Sequence, residues 1–194
     1  MEKLTVSRPM TKQEAEDARN KNIIEISLDF SAMMRVFSKG SSATILRRLE
    51  EGFRAFDGVA DKADYDRFHA DFCQWFIQNI STAEKKFKSG QTKPSRTCSY
   101  GQAAKVLDVA AKVYVYYCGQ PSQESARRLV PTLHAALDNR MMEHLGIPTT
   151  LQQVDRAAYE YLQSRVADEI AHSQIYPVQY DDILWRRLQR AESR

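Results

Sequence analysis

Six cations fall within one stretch of this chain, Lys85, Lys86, Lys88, Lys93, Arg96 and Lys105, against the single acid Glu84. Residues 81–105 therefore carry +5 in a chain whose net charge is +3, which leaves −2 for the remainder. Clustered ammonium and guanidinium groups beside a breaker-rich segment are what phosphate contacts require. Tyr100 follows Arg96 closely and offers a ring for stacking on a base. Ser99 to Gln102 adds a helix start, whose free N–H groups attract anions. These residues form the expected binding surface for a nucleic acid or another polyanion. The bland alternative is a solvated lysine-rich face, a common feature of soluble proteins.

A second set is Arg127, Arg128 and His134. An arginine can stabilise phosphate charge while a histidine transfers protons, and together they suffice for RNA cleavage without a metal. The spacing resembles the R-x(4–6)-H motif of the HEPN superfamily of RNases. In that family the pair lies on a helix and usually acts across a dimer. The resemblance implies a metal-independent RNase using Arg127 or Arg128 with His134. The sequence departs from the family pattern in three ways. Arg127 is followed by Arg128 and Arg128 by Leu129, where the family has Asn, Asp or His, and Pro131 intervenes.

The remaining ionisable residues read as structural. His69 is one helical turn from Tyr65 and from Cys73, so it borders a core face. His144 and His172 fall near expected helix C-termini, where the macrodipole favours a cation. Asp57, Asp61, Asp64 and Asp66 gather between two helices and read as caps and dipole partners. Asp108 and Lys112 are spaced to pair at i, i+4 on a polar helix face. No H-x-x-x-H, H-E-x-x-H, zinc-finger, phosphate-loop, dinucleotide or nucleophile-elbow spacing occurs, so neither a metal site nor a cofactor is expected.

These residues must be held by helices. Thr11-x-x-Glu14, Ser99-x-x-Gln102 and Thr150-x-x-Gln153 are capping-box patterns, which predict helices from about residues 12, 100 and 151. Ile23 to Phe30 also alternates enough to suggest a short strand, and a break near Asn20 to Asn22 fits the pattern. Ser41 or Ser42 begins a helix carrying Ile45, Leu46, Leu49 and Phe53, with Gly58 as its end. Tyr65, Phe68, Phe72, Trp75 and Phe76 stripe a helix from Asp61 or Asp64 to Ile80. Residues 81–88 extend it or form a short helix, and 89–98 form an exposed loop. Ala103, Val106, Leu107, Ala110, Val113, Tyr114 and Tyr117 line the Ser99 helix, which Gly119 closes.

Ser122 starts a helix that Pro131 ends, and Asp138 caps a short one running to Leu145. Leu151, Val154, Ala158, Tyr161, Leu162, Val166 and Ile170 give the Thr150 helix its apolar face. Pro177 and Asp181 or Asp182 open a terminal helix that Trp185 docks.

The expectation is an all-α fold, one domain over residues 1–194, built as a bundle of about six to eight helices with residues 1–10 as a flexible start. Three cysteines without paired spacing, the lack of an apolar leader and the shortness of every apolar run predict a cytoplasmic protein with no membrane partner. The leading functional expectation is a helical binding module that contacts a nucleic acid or other polyanion through residues 85–105. A subunit that binds only protein, whether a partner chain or a second copy, is the third reading. It draws attention to Tyr114, Tyr116 and Tyr117, which cover too much of one helix to share a single core face.

Overall fold

Side-chain caps set most of the helix starts. In the computed structural model, which describes residues 11–192, Thr11 and Glu14 form a reciprocal capping box at the start of α1 (Lys12–Phe30). The expected flexible start, residues 1–10, lies outside the described residues. Helix α1 runs unbroken through Asn20 to Phe30. It buries Ile24, Ser27 and Leu28 on one face, so the alternation at Ile23 to Phe30 does not make a strand. A 3-10 turn at Ala32–Val36 follows, and α2 (Ser41–Arg54) begins after Gly40. Gly40 has φ of 89°, a left-handed conformation that suits glycine, and it occupies the cap position expected for a serine.

Helix α3 (Lys62–Asn79) is capped by Asp61 and turns Tyr65, His69, Phe72, Cys73 and Phe76 inward. Residues 81–97 are not helical. Backbone bridges Phe37 to Thr82 and Ser81 to Thr97 tie the segment down. A short hairpin, β1 (Lys85–Lys86) against β2 (Thr92–Lys93), projects from it and turns through Gly90 at φ 82°. Four lysines close in sequence repel one another when helical. The hairpin points them into water.

Helix α4 (Tyr100–Ala111) is buried over nearly its whole circumference, as a central helix must be. It packs against α1, α3 and the turn at Ala32–Val36, and against two further elements named below. Its last turn widens to π geometry at Lys112–Tyr117, which lets Val113, Tyr114 and Val115 all be buried. Tyr114 stacks on Phe53 at 4.7 Å between ring centroids, while Tyr117 turns outward. Burying aromatic side chains of this size contributes about 1.5–3 kcal/mol each.

Helix α5 (Gln123–Leu129) ends in a 3-10 turn at Val130–Thr132, where Pro131 cannot continue the helix. Asp138 caps the short α6 (Asn139–His144). The third capping box, Thr150 with Gln153, closes only a 3-10 turn at Leu151–Gln153. Helix α7 (Arg156–Ile170) instead starts on its own cap, Asp155. The turn at Leu151–Gln153 and α7 are the other two elements packed on α4. With the later start, Tyr159 and Leu162 face the core and Tyr161 faces solvent.

Helix α8 (Pro177–Glu192) docks through Val178, Tyr180, Asp181 and Leu184. The expected anchor, Trp185, is 45% exposed. The fold is thus an all-α bundle of eight described helices with a minor hairpin. Among the described residues no helix is long and apolar enough to cross a membrane, and Cys73, Cys98 and Cys118 are free thiols.

Candidate functional site

Four segments bring polar side chains to one point inside the bundle. The cap at Asp61 sets the phase of α3 so that His69 projects from its apolar face. Asp108 lies in the run Val106 to Ala111 of α4, where almost every neighbour is core. His134 follows the turn that Pro131 forces. Tyr159 enters from the first turns of α7. The side chains of His69 and Asp108 are 1% and 0% exposed, so this is an ionisable pair inside the core.

The Tyr159 hydroxyl is the hub. It lies 2.8 Å from Asp108 Oδ2, 3.1 Å from His69 Nε2 and 3.0 Å from His134 Nδ1. His69 Nε2 is also 3.1 Å from Asp108 Oδ1, and its Nδ1 faces the Tyr100 hydroxyl at 3.4 Å and Cys73 Sγ at 3.8 Å. His134 Nε2 lies 2.8 Å from Asp66 Oδ1, and Lys62 Nζ holds both oxygens of Asp66 at 2.6 and 2.7 Å. A continuous polar chain therefore runs from the surface lysine to the buried thiol of Cys73.

Burial opposes charge on His69, but Cys73 and Asp108 outweigh it and lift its pKa to about 10. Burial pushes His134 the other way, with the Asp66 hydrogen bond opposing and His69 reinforcing the fall. Burial would raise Asp66, yet hydrogen bonds from His134 and Lys62 prevail and hold it at about 2. Burial first, then Asp108, raises Tyr159 well above the ordinary phenol range. The ring of His134 thus sits neutral between a carboxylate and a hydroxyl. Asp66 takes its Nε2–H, and its Nδ1 lone pair faces a hydroxyl whose one hydrogen Asp108 also claims.

His69, Asp108 and His134 each offer a ligand atom, and these atoms lie within 4.8 Å of one another. Two imidazoles and a carboxylate are a donor set suited to divalent transition metals. No spacing along the chain announces it, because the three residues come from separate segments.

The cluster opens to solvent through a cleft of about 410 Å³ lined by His69, His134, Tyr159, Lys62, Arg156 and Gln163. Tyr100 and Arg156 also line a second cleft of about 430 Å³, which extends to Gln152. Gln152 in turn lines a third, of about 470 Å³, walled by Arg35, Lys85, Lys93 and Arg96. The first and second clefts share Tyr100 and Arg156 as walls, and the second and third share Gln152.

The sequence-expected binding residues divide between two places. Lys85, Lys86, Lys88, Lys93 and Arg96 are exposed on and beside the hairpin. Tyr100 is buried against His69, with no open face for a base. Lys105 turns inward and donates to the Ala136 carbonyl at 2.6 Å.

Arg128 bonds the carbonyls of Asp57 and Val59, Arg127 is exposed, and His134 faces Asp66 and Tyr159. No hydrogen bond links either arginine to His134. The acidic group between α2 and α3 also disperses. Asp61 and Asp64 cap, Asp57 accepts from Ser125, and Asp66 joins the cluster.

The i, i+4 pair of Asp108 and Lys112 does not form. Lys112 reaches Asp181 at 2.8 Å and Asp182 at 2.5 Å, and α4 has no fully polar face. Asp108 is the clearest signal in the sequence that went unread. An acid flanked by Val106, Leu107, Val109, Ala110 and Ala111 is a buried charge, and a buried charge needs a partner.

No family model matches the chain, and no curated protein or solved structure shows significant similarity to it.

Proposed function

We propose that this chain is a metal-dependent hydrolase of phosphodiesters, with a divalent ion held by His69, Asp108 and His134 and a polyanionic strand lying along the three clefts. The convergence of the three ligand atoms on the Tyr159 hydroxyl carries the reading. The surroundings of the cluster support it. With metal on His134 Nδ1, the opposite N–H points at Asp66, the carboxylate–histidine–metal arrangement that orients ligating imidazoles. Metal on His69 Nε2 would displace the proton shared there with Asp108 and leave Nδ1–H facing the Tyr100 hydroxyl. A divalent ion held by these residues would supply an activated water or a polarised phosphoryl oxygen. Lys62 and Arg156 stand at the mouth, paired with Asp66 and Glu160, which line it too.

The clefts support the substrate class. A strand neutralised by Lys85, Lys93 and Arg96 would run past Gln152 toward the cleft of the histidines. In this reading the binding surface inferred from the sequence and the histidine of the Arg–His pattern act on one substrate. His134 works with Asp66 and Tyr159 in place of Arg127 or Arg128.

The test has two parts. Cobalt(II) titration of the chelator-stripped chain should give visible ligand-field bands and a one-to-one endpoint, both lost in His134→Ala and Asp108→Asn. Cleavage of mixed RNA and single-stranded DNA should require added metal and weaken when Lys85, Lys93 and Arg96 are changed to Glu. Absence of cobalt bands in the folded wild-type chain removes the centre. Cleavage that persists in EDTA favours the metal-independent Arg–His alternative, and metal binding without cleavage removes the substrate class alone.

A further inference from the structure

A different face of α4 borders a cleft of about 660 Å³ that shares no lining residue with the histidine cleft. Its volume is in the range that takes a small organic molecule. Met33, Val36, Val109 and Leu151 supply apolar wall, and the half-exposed indole of Trp185 stands at its edge.

Two residues that line this space carry buried polar atoms without partners. Gln102 is 1% exposed and its Nε2 makes no hydrogen bond. Its orientation is fixed from the other end, because Oε1 accepts from Ser99 N–H at 3.0 Å in the capping box of α4. The amide cannot rotate to satisfy its N–H groups without breaking the cap. Ser31, 6% exposed, lines the same cleft with an unpartnered Oγ. Lys105 also lines it. One of its hydrogens goes to the Ala136 carbonyl, and an ammonium has two more. Buried donors without acceptors are rare in folded chains and mark places where another molecule supplies them.

We propose that this cleft binds a small monocarboxylate with an apolar, ring-sized body, its carboxylate accepting from Gln102 Nε2, Lys105 Nζ and Ser31 Oγ. The donors require a ligand with adjacent acceptor oxygens, and the apolar wall with Trp185 requires a hydrophobic remainder. Lys105, Arg140 and Asp138 line the cleft together, so its ionisable side chains carry one net positive charge, which a single carboxylate balances. No residue of the proposed metal cluster lines this cleft, although Val36, Gln102 and Gln152 also border the cleft beside the hairpin.

The experiment uses the full chain and three probes: benzoate, indole carboxylate and octanoate, with inorganic phosphate and benzyl alcohol as comparators. The side-chain amide signal of Gln102, assigned by its loss in Gln102→Glu, is followed by heteronuclear NMR alongside the melting temperature. At least one carboxylate should shift that signal saturably and raise the melting temperature. Its affinity should fall about tenfold or more in Gln102→Glu, which keeps the capping oxygen but loses the donor. Lys105→Met should weaken binding similarly, and His134→Ala should leave it unchanged. The proposal is overturned if no carboxylate saturates by about 10 mM. It is overturned equally if Gln102→Glu binds as well as the wild type, or if phosphate or the alcohol matches the carboxylates.

Discussion

Gly101→Ala should destabilise the chain although it replaces glycine by a better helix former. In the first turn of α4, a methyl group on Gly101 would stand 2.6 Å from Val154 Cβ and 2.8 Å from the Leu151 carbonyl oxygen. Neither neighbour is the free end of a flexible side chain. The two segments are also tied by Gly101 N–H to the Val154 carbonyl at 2.9 Å and by Ser99 Oγ to the Leu151 carbonyl at 2.5 Å. Alanine gains about 0.5–1 kcal/mol of helix preference over glycine, whereas forcing a methyl into a packed contact costs about 1–3 kcal/mol. The net loss is then up to about 2.5 kcal/mol and centred on about 1 kcal/mol, with the melting temperature lower by roughly 2–4 °C per kcal/mol for a chain of this size.

Gly58→Ala is the matched control. Nothing lies within 4 Å of its added methyl, so that variant should be neutral or more stable by about 0.4–1 kcal/mol. Paired denaturant titrations with a common slope measure both. A Gly101→Ala chain as stable as wild type would refute the claim that α4 is in hard contact with the Leu151–Val154 segment.

Two further substitutions probe the buried charges. Asp108→Ala, measured in EDTA, should cost about 3–5 kcal/mol because it strands a buried histidine, and the double change with His69→Leu should cost less than the sum. Strictly additive losses would show that the pair is not coupled. Lys112→Met should also cost about 3–5 kcal/mol, since it leaves Asp181, 8% exposed, without its cation. Burial raises the pKa of Asp181, so the penalty belongs to the ionised form and should shrink as pH falls and the carboxyl takes up a proton. A loss that stays constant from pH 8 to about pH 5 would contradict this.

The legible part of the fold was the part governed by local rules. Thr11, Ser99, Asp138 and Ser122 cap where their side-chain chemistry says they should, and Gly119, Pro131 and Gly146 end helices for equally local reasons. Misreadings came where two local signals competed. Thr150 and Asp155 both cap, and only packing decides that Asp155 begins the helix, which moves Tyr159 inward and Tyr161 out. Leu184 docks α8 where the larger Trp185 was expected, because docking follows the face that meets the bundle rather than side-chain size.

The site was hidden for a different reason. His69 and Asp108 read separately as a core-edge histidine and a surface acid, and their pairing exists only once α3 and α4 pack. The basic stretch was legible as charge, but its division into an exposed hairpin and the inward-facing Tyr100 and Lys105 depends on the phase of α4.

The distances along the chain within the Tyr159 hub bear on how the protein folds. His69 and Asp108 are 39 residues apart, His134 and Tyr159 are 25 apart, and His69 and Tyr159 are 90 apart. Closing the longest of these loops adds little to the entropic cost, which rises only with the logarithm of length, yet the nearer pair can form before α7 docks. A chain in which α3 and α4 have already paired can hold His69 against Asp108 while α7 is still undocked, and it then lacks the hydroxyl on which the other groups converge. Such an intermediate would have most of its helix and none of its centre. Recovery of helical circular dichroism should therefore run ahead of recovery of metal binding, with the docking of α7 as the step that separates them.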